Sequence, residues 1–137
     1  MGLDPGTRRI GVAVSDELGM LARGVEAISV RGREEVCQEI ADLARTYGVE
    51  KIVVGLPRHM NGDEGESAAS ARQLAADCAS ATGLPVILWD ERLSTKGAER
   101  LMIEADLSRR HRRRIIDQQA AQWILQSYLD QWRGPAS

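Results

Sequence analysis

Leu3-Asp4-Pro5-Gly6-Thr7-Arg8-Arg9-Ile10-Gly11-Val12-Ala13-Val14-Ser15-Asp16 places an acid, a Pro-Gly turn and an apolar run in immediate succession. Pro5-Gly6-Thr7 is rich in turn formers, so Leu3-Asp4 and the run from Ile10 to Val14 read as two strands of a tight hairpin. Asp4 then closes the first strand, and the stretch from Gly6 to Gly11 lets backbone come close to a ligand. Gly24 to Val30 offers a third strand.

Downstream the apolar period changes. Val36, Ile40, Leu43 and Tyr47 recur at helical spacing and predict one buried helix face, ended by Gly48. Lys51 to Gly55 reads as a buried strand, Pro57 to Gly65 as a loop, Glu66 to Thr82 as an alanine-rich helix stopped by Gly83, and Val86 to Trp89 as a last strand. A helix capped by Ser94 or Thr95 runs to about Ala105. The final helix carries Ile116, Ala120, Trp123, Ile124 and Tyr128 on one face, with Trp132 continuing it. Strand–helix–strand crossovers imply parallel pairing of the later strands, giving an α/β single domain.

The chain has 137 residues, enough for one domain and a single core, with 43% hydrophobic and 28% charged residues as in ordinary soluble proteins. We take 1–132 as the domain and 133–137 as a tail. Its apolar runs are far shorter than the ~20 residues that cross a bilayer, and Met1 leads straight into Gly2-Leu3-Asp4, so neither a membrane span nor a signal peptide is expected. Cys37 and Cys78 form no disulfide or zinc pattern. Both read as small core residues in a cytoplasmic protein.

The formal net charge of -2 conceals a strong asymmetry. Arg92 to Arg114 holds eight Lys or Arg against three acids, a balance of +5, while the remainder carries ten basic and seventeen acidic residues, a balance of -7. Within Ser108-Arg109-Arg110-His111-Arg112-Arg113-Arg114, five arginines in seven residues repel one another with too few local acids to pair them. Phosphates would relieve that repulsion, which makes Arg109, Arg110, Arg112, Arg113 and Arg114 candidates for a polyanion. Trp123, Tyr128 and Trp132 read as core rather than as a base-stacking platform, because aromatics total only 4%.

Three acids at element ends form a second constellation. Asp4 ends the first strand. Asp90-Glu91 closes the last, where open α/β sheets place their ligands. Neighbours on a strand point to opposite sides, so at most one of that pair can share a site with Asp4. Asp117 falls in the first turn of the last helix. Each acid also has a purely structural use, in a turn, a cap or a helix dipole. Three carboxylates from separate elements suit a hard cation such as Mg2+ or Mn2+, and two such cations can drive in-line displacement at phosphorus.

The opening stretch closely resembles the first motif of the YqgF/RuvX family, and three further blocks agree in order and spacing. They are Val53-Val54-Gly55-Leu56-Pro57 with Asn61-Gly62 downstream, Asp90-Glu91-Arg92-Leu93-Ser94-Thr95, and Asp117-Gln118-Gln119-Ala120-Ala121 followed by Ile124-Leu125-Gln126. The resemblance implies an RNase H-like fold with a mixed five-stranded sheet flanked by helices. It also implies a metal-dependent nuclease acting on structured RNA, with the 5′ end of pre-16S rRNA as favoured substrate in ribosome biogenesis. A 5′-phosphate and a 3′-hydroxyl are the expected products. Carried over by position, the family's acidic site falls on Asp4, Glu91 and Asp117.

Arg9, Arg92, Thr95 and Lys96 then become candidate phosphate contacts, the last three where a helix start would offer backbone N–H groups. One departure concerns the first strand, which has only Met1-Gly2-Leu3 ahead of Asp4. In an RNase H-like sheet this strand is central, so a short one risks losing ladder hydrogen bonds.

Competing readings use the same residues. A DNA four-way junction resolvase would share the acids but require two coordinated sites and hence a homodimer; the sequence leaves monomer or dimer open. A non-catalytic RNA-binding assembly factor would use the arginines alone. Asp4-x-Gly6-Thr7 also resembles the first phosphate motif of actin-like ATPases, but those place a nucleotide between two domains and this chain holds one.

Overall fold

The computed structural model describes residues 1–57, 64–90 and 120–131. In chain order these form β1 (Gly2–Asp4), β2 (Arg9–Ser15), β3 (Ala22–Ser29), α1 (Arg33–Thr46), β4 (Ile52–Leu56), α2 (Glu66–Thr82) and β5 (Val86–Asp90). Residues 120–131 are also helical and are termed α3. The five strands make one mixed sheet in the order β3-β2-β1-β4-β5. The hairpin of β1 and β2 is antiparallel, as is the β2–β3 pair, whereas β4 lies parallel to both β1 and β5. The expected architecture is therefore present, with β1 in the centre.

β1 keeps its ladder despite its length. Gly2, Leu3 and Asp4 face Ala13, Val12 and Gly11 on one side, while Gly2 and Leu3 face Val53 and Val54 on the other. The Val53 N–H donates to the Met1 carbonyl at 2.8 Å, and the Met1 amine donates to the Lys51 carbonyl at 2.9 Å. β1 is thus paired with both of its neighbours. All five residues of β4 are buried, which accounts for its uninterrupted apolar run.

Alternation along the strands separates two cores. Leu3, Val12, Val14, Ile52 and Val54 pack with Val36 and Ile40 of α1 and with Ala68, Ala71 and Cys78 of α2. On the opposite face Ala13, Ala22 and Val53 pack with Ala121, Ile124, Leu125 and Leu129 of α3. The result is a three-layer arrangement with the sheet in the middle.

Helix boundaries follow local chemistry, with some corrections. Gly83 takes a left-handed φ of 70° and its N–H donates to the Ala79 carbonyl, which ends α2 where the glycine predicted. Tyr47 does not belong to the buried face of α1: it caps the helix, stands 40% exposed, and has the Arg23 guanidinium 5.6 Å above its ring. Cys78 is fully buried, but Cys37 is only half-buried, so a single core role for both cysteines does not hold. The buried row of α3 is Ala121, Ile124, Leu125 and Leu129, whereas Ala120, Trp123 and Tyr128 are half-buried. The expected row was therefore rotated toward the aromatics. The helix predicted from Ser94 to Ala105, together with Ile116, Trp132 and most of the 57–65 loop, lies outside the described residues. Among those described, no helix is long and apolar enough to cross a membrane.

One ion pair ties the two helices on the far side of the sheet. Arg33 of α1 donates from Nη2 and Nε to the two carboxylate oxygens of Asp77 on α2, at 2.7 and 3.1 Å. The hydrogen bond from Arg33 holds the Asp77 carboxyl below its ordinary pKa. A carboxyl lowered in the folded state stabilises above its unfolded pKa, and that contribution disappears as pH falls through the folded value. The Asp77→Asn variant should therefore show a slightly lower melting temperature than wild type at neutral pH, with the two curves converging as pH falls through the lowered Asp77 carboxyl. A constant gap across the acid range would exclude this linkage. Burial pushes the Cys78 thiol up to about 12. A thiol reagent at pH 8 should accordingly modify Cys37 in the native protein and Cys78 only after denaturation.

Candidate active site at the carboxyl edge of the sheet

Because β1, β4 and β5 are parallel, their carboxyl ends lie at one edge of the sheet. Asp4 is the last residue of β1 and Asp90 the last of β5, with Leu56 ending β4 between them. One step beyond the Leu3–Val54 pair, Asp4 stands level with Gly55, whose partner on β5 is Trp89. At that level β4 offers backbone but no side chain.

The two cores also identify the face on which each acid stands. Asp4 shares the alternation of Gly2 and, through the register, of Val53 and Trp89, which belong to the core beneath α3. Asp90 shares the alternation of Val86 and Leu88, which pack on the α1–α2 side. Asp4 and Asp90 therefore point to opposite faces, and the acid sharing a site with Asp4 is not Asp90.

The seat of α3 follows from its contacts. Tyr128 Oη accepts from Lys51 Nζ at 3.0 Å just ahead of β4, while the Trp89 indole N–H donates to Ser127 Oγ at 3.1 Å. Toward its other end, Leu125 and the Ala121 carbonyl lie over Gly2. Ala121 and Leu125 thus rest on the central strand two residues before Asp4, on the face of the sheet that Asp4 shares. A Cβ on Gly2 would lie 2.7 Å from Leu125 Cβ and 3.1 Å from the Ala121 oxygen, so glycine sets how closely α3 can approach the central strand.

The far side of α3 is held by glutamine rather than by charge. Gln126 Oε1 accepts from the Ala22 N–H at 2.8 Å, and Gln122 Nε2 donates to the Ala22 carbonyl at 3.0 Å. These bonds satisfy the start of the edge strand β3 and fix the helix across the sheet. The β1–β2 turn is fixed by Gly6, where a Cβ would lie 2.3 Å from the Arg9 carbonyl oxygen. Asp4 is half-buried at the mouth of this turn.

Arg9 opens β2 and is exposed. Opposition of Asp4 to Gly11 and alternation along β2 put Arg9 on the same face and edge as Asp4. Glu91, Arg92, Thr95, Lys96, Arg109, Arg110, Arg112, Arg113, Arg114 and Asp117 all lie outside the described residues. Among the described residues no group of three or more His, Cys, Asp or Glu is arranged to hold a metal ion. Among the described residues Asp4 is the carboxylate on the α3 face of this edge, with Asp90 on the other, so a cation site beside Asp4 needs carboxylates from beyond them. Sequence reasoning also passed over Arg8 and Arg31, two exposed arginines at this same edge. Their signal was hidden because neither belongs to a charge run.

A family model described as "RuvX: Holliday junction resolvase" matches residues 1–131. Among curated relatives, a protein of Pelotomaculum thermopropionicum is 56% identical over 131 residues, covering 95% of this chain and 85% of its own. One of Geobacillus kaustophilus is 50% identical over 136 residues, covering 97% and 98% respectively. Both carry the name "Putative pre-16S rRNA nuclease". Among solved structures, RuvC of T. thermophilus in complex with a Holliday junction substrate aligns with a TM-score of 0.59 at 18% identity, covering 97% of this chain and 94% of that one. This likeness shows the shared RNase H-like fold.

Close approach at Gly2 is open to direct test. Gly2→Ala should lower the unfolding free energy by about 1–3 kcal/mol, read from the urea midpoint, because the added methyl meets Leu125 and the α3 backbone together. A midpoint equal to wild type would show that α3 does not rest on β1 in this way.

Proposed function

The chain belongs to the RuvX family, and on that premise we propose that it is a metal-dependent nuclease that cleaves structured RNA, with the 5′ end of pre-16S rRNA as its substrate. The observation carrying this reading is Asp4, half-buried at the end of the central strand, on the face of the sheet that α3 covers. Ala121, four residues after Asp117 in the sequence, lies by Gly2, two residues before Asp4 on β1, and this proximity supports placing Asp117 beside Asp4. Glu91 follows Trp89 by two, so strand alternation favours it over Asp90 for the same face.

In this reading Asp4, Glu91 and Asp117 hold Mg2+ or Mn2+, and their carboxylates are the oxygen donors such ions prefer. A divalent cation bound there supplies the positive charge that stabilises in-line displacement at phosphorus. The protein's own part is to hold the carboxylates on rigid elements. Asp4 is set by a β1 ladder paired on both sides, and the turn beyond it is set by Gly6. Unneutralised, these acids would repel a polyanion; Arg9 on the same face and the arginines between 109 and 114 bind flanking phosphates. Residues 1–132 constitute the nuclease domain, acting in the cytoplasm where its RNA substrate is made.

Cleavage of an end-labelled pre-16S fragment with Mg2+ or Mn2+ tests the proposal. Asp4→Ala should cut the rate on the order of 10³-fold or more while RNA binding persists, since several kcal/mol of charge stabilisation is lost. Turnover unchanged in the variant would remove Asp4 from the site. A four-way DNA junction, the substrate class in the family model's description, serves as the second arm. Cleavage of the junction alone would replace RNA processing with junction resolution.

A further inference from the structure

The carboxyl edge carries more positive charge than the sequence runs suggest. β1 ends there, β2 begins there and β3 ends there, so the loop from Pro5 to Arg8 and the loop from Val30 to Gly32 are neighbours. A backbone hydrogen bond joins them, the Val30 N–H donating to the Arg8 carbonyl at 2.9 Å. Arg9 is paired with Ser29 across the β2–β3 ladder, which places Arg31 just beyond it. Arg8, Arg9 and Arg31 are all exposed. Among the described residues no carboxylate forms an ion pair with the Arg8 or Arg31 side chain, in contrast to Arg33, Arg45 and Arg72, which pair with Asp77, Asp42 and Glu64.

The order across the edge gives this cluster a direction. Starting from Asp4 on β1, Arg9 lies one strand away and Arg31 beyond β3, two strands away, with about 4.8 Å per strand. The acids of the next element bound it: Glu34 and Glu35 occupy the first turn of α1, and the Glu35 carboxylate reaches back over Gly32. A polyanion is therefore attracted along the β1–β2–β3 edge and turned away at α1. The exposed guanidinium groups of Arg8 and Arg31, on two hydrogen-bonded loops with Arg9 between them, suit successive phosphates of one strand, because a guanidinium donates in a planar fork.

We propose that Arg8, Arg9 and Arg31 form a phosphate-binding strip that receives the RNA strand running from Asp4 toward the β3 edge. It is separate in the chain from the arginines at 109–114 and rests on the nuclease reading of the Asp4 edge. The strip fixes which length of strand enters the site, so it acts in positioning, and its loss weakens binding more than it slows the bound complex.

The test is the salt dependence of binding to the pre-16S fragment, with turnover suppressed by EDTA, for wild type, Arg8→Ala/Arg31→Ala and Arg45→Ala. Arg45 removes an equal type of charge from the last turn of α1, at the opposite edge of the sheet. The double variant should bind about tenfold more weakly at low salt, with the slope of log K against log[salt] reduced by about 0.7–0.9 per arginine removed, while Arg45→Ala keeps the wild-type slope. In cleavage assays with metal its KM should rise by a larger factor than kcat falls. An unchanged slope in the double variant, with wild type still cleaving RNA, would overturn the strip and leave the nuclease reading intact. Equal losses in the double variant and Arg45→Ala would overturn it as well, since net charge would then suffice. Wild type that neither binds nor cleaves the fragment would overturn both. Melting temperatures of wild type and the double variant should agree, because the Arg8 and Arg31 side chains hold no ion pair among the described residues, and Arg45→Ala should fall little below them, because its pair with Asp42 is exposed.

Discussion

The close seat of α3 on β1 is the constraint on which the rest depends. A three-residue strand in the middle of a sheet has little surface of its own, yet β1 must be paired on both sides and covered on both faces. Leu3 supplies one face to the α1–α2 core, and Gly2 supplies the other by having no side chain, so Leu125 and the Ala121 backbone approach directly. Any larger residue would lift the helix away from the strand that carries Asp4. Gln122 donates to the Ala22 carbonyl, Gln126 accepts from the Ala22 N–H and Ser127 accepts from the Trp89 indole, so the helix is held to β3 and β5 as well.

That edge is where the charge becomes useful. Parallel strands deliver their ends together, so Asp4 and the β5 terminus converge although they are far apart in the chain. Antiparallel β2 and β3 contribute the opposite termini, and with them Arg9 and the loop holding Arg31. An acidic centre flanked by cations is the pattern needed to admit a phosphodiester, because the carboxylates alone would repel it. The amino edge, by contrast, has its basic groups engaged: Lys51 with Tyr128, Arg45 with Asp42, and Arg23 with the Tyr47 ring.

Elements with strong local signals were legible in advance. The Pro5-Gly6 turn, the apolar run of β4 and the stop at Gly83 each depend on the conformational preferences of a few adjacent residues. Elements whose faces depend on partners were read less well. In α3 the aromatics suggested a row through Trp123, but the sheet selected Ala121, Leu125 and Leu129, since small residues permit the approach over Gly2. Tyr47 satisfied the helical period of α1 yet lies past its end, where Arg23 rather than the core receives it. Cys37, expected in the core as a free cysteine, is only half-buried.

By itself the sequence determined the kind and order of the elements, the α/β class, the family and the candidacy of Asp4, because turns, periods and motifs are properties of neighbouring residues. Tertiary structure alone decided that Asp4 and Asp90 face opposite sides of the sheet, because register across β4 relates their alternation. It alone brought Arg8, Arg9 and Arg31 to one edge, because a backbone bond between two loops joins residues more than twenty positions apart. Charge runs are written along the chain, but an electrostatic surface is summed through space, and only folding performs that sum.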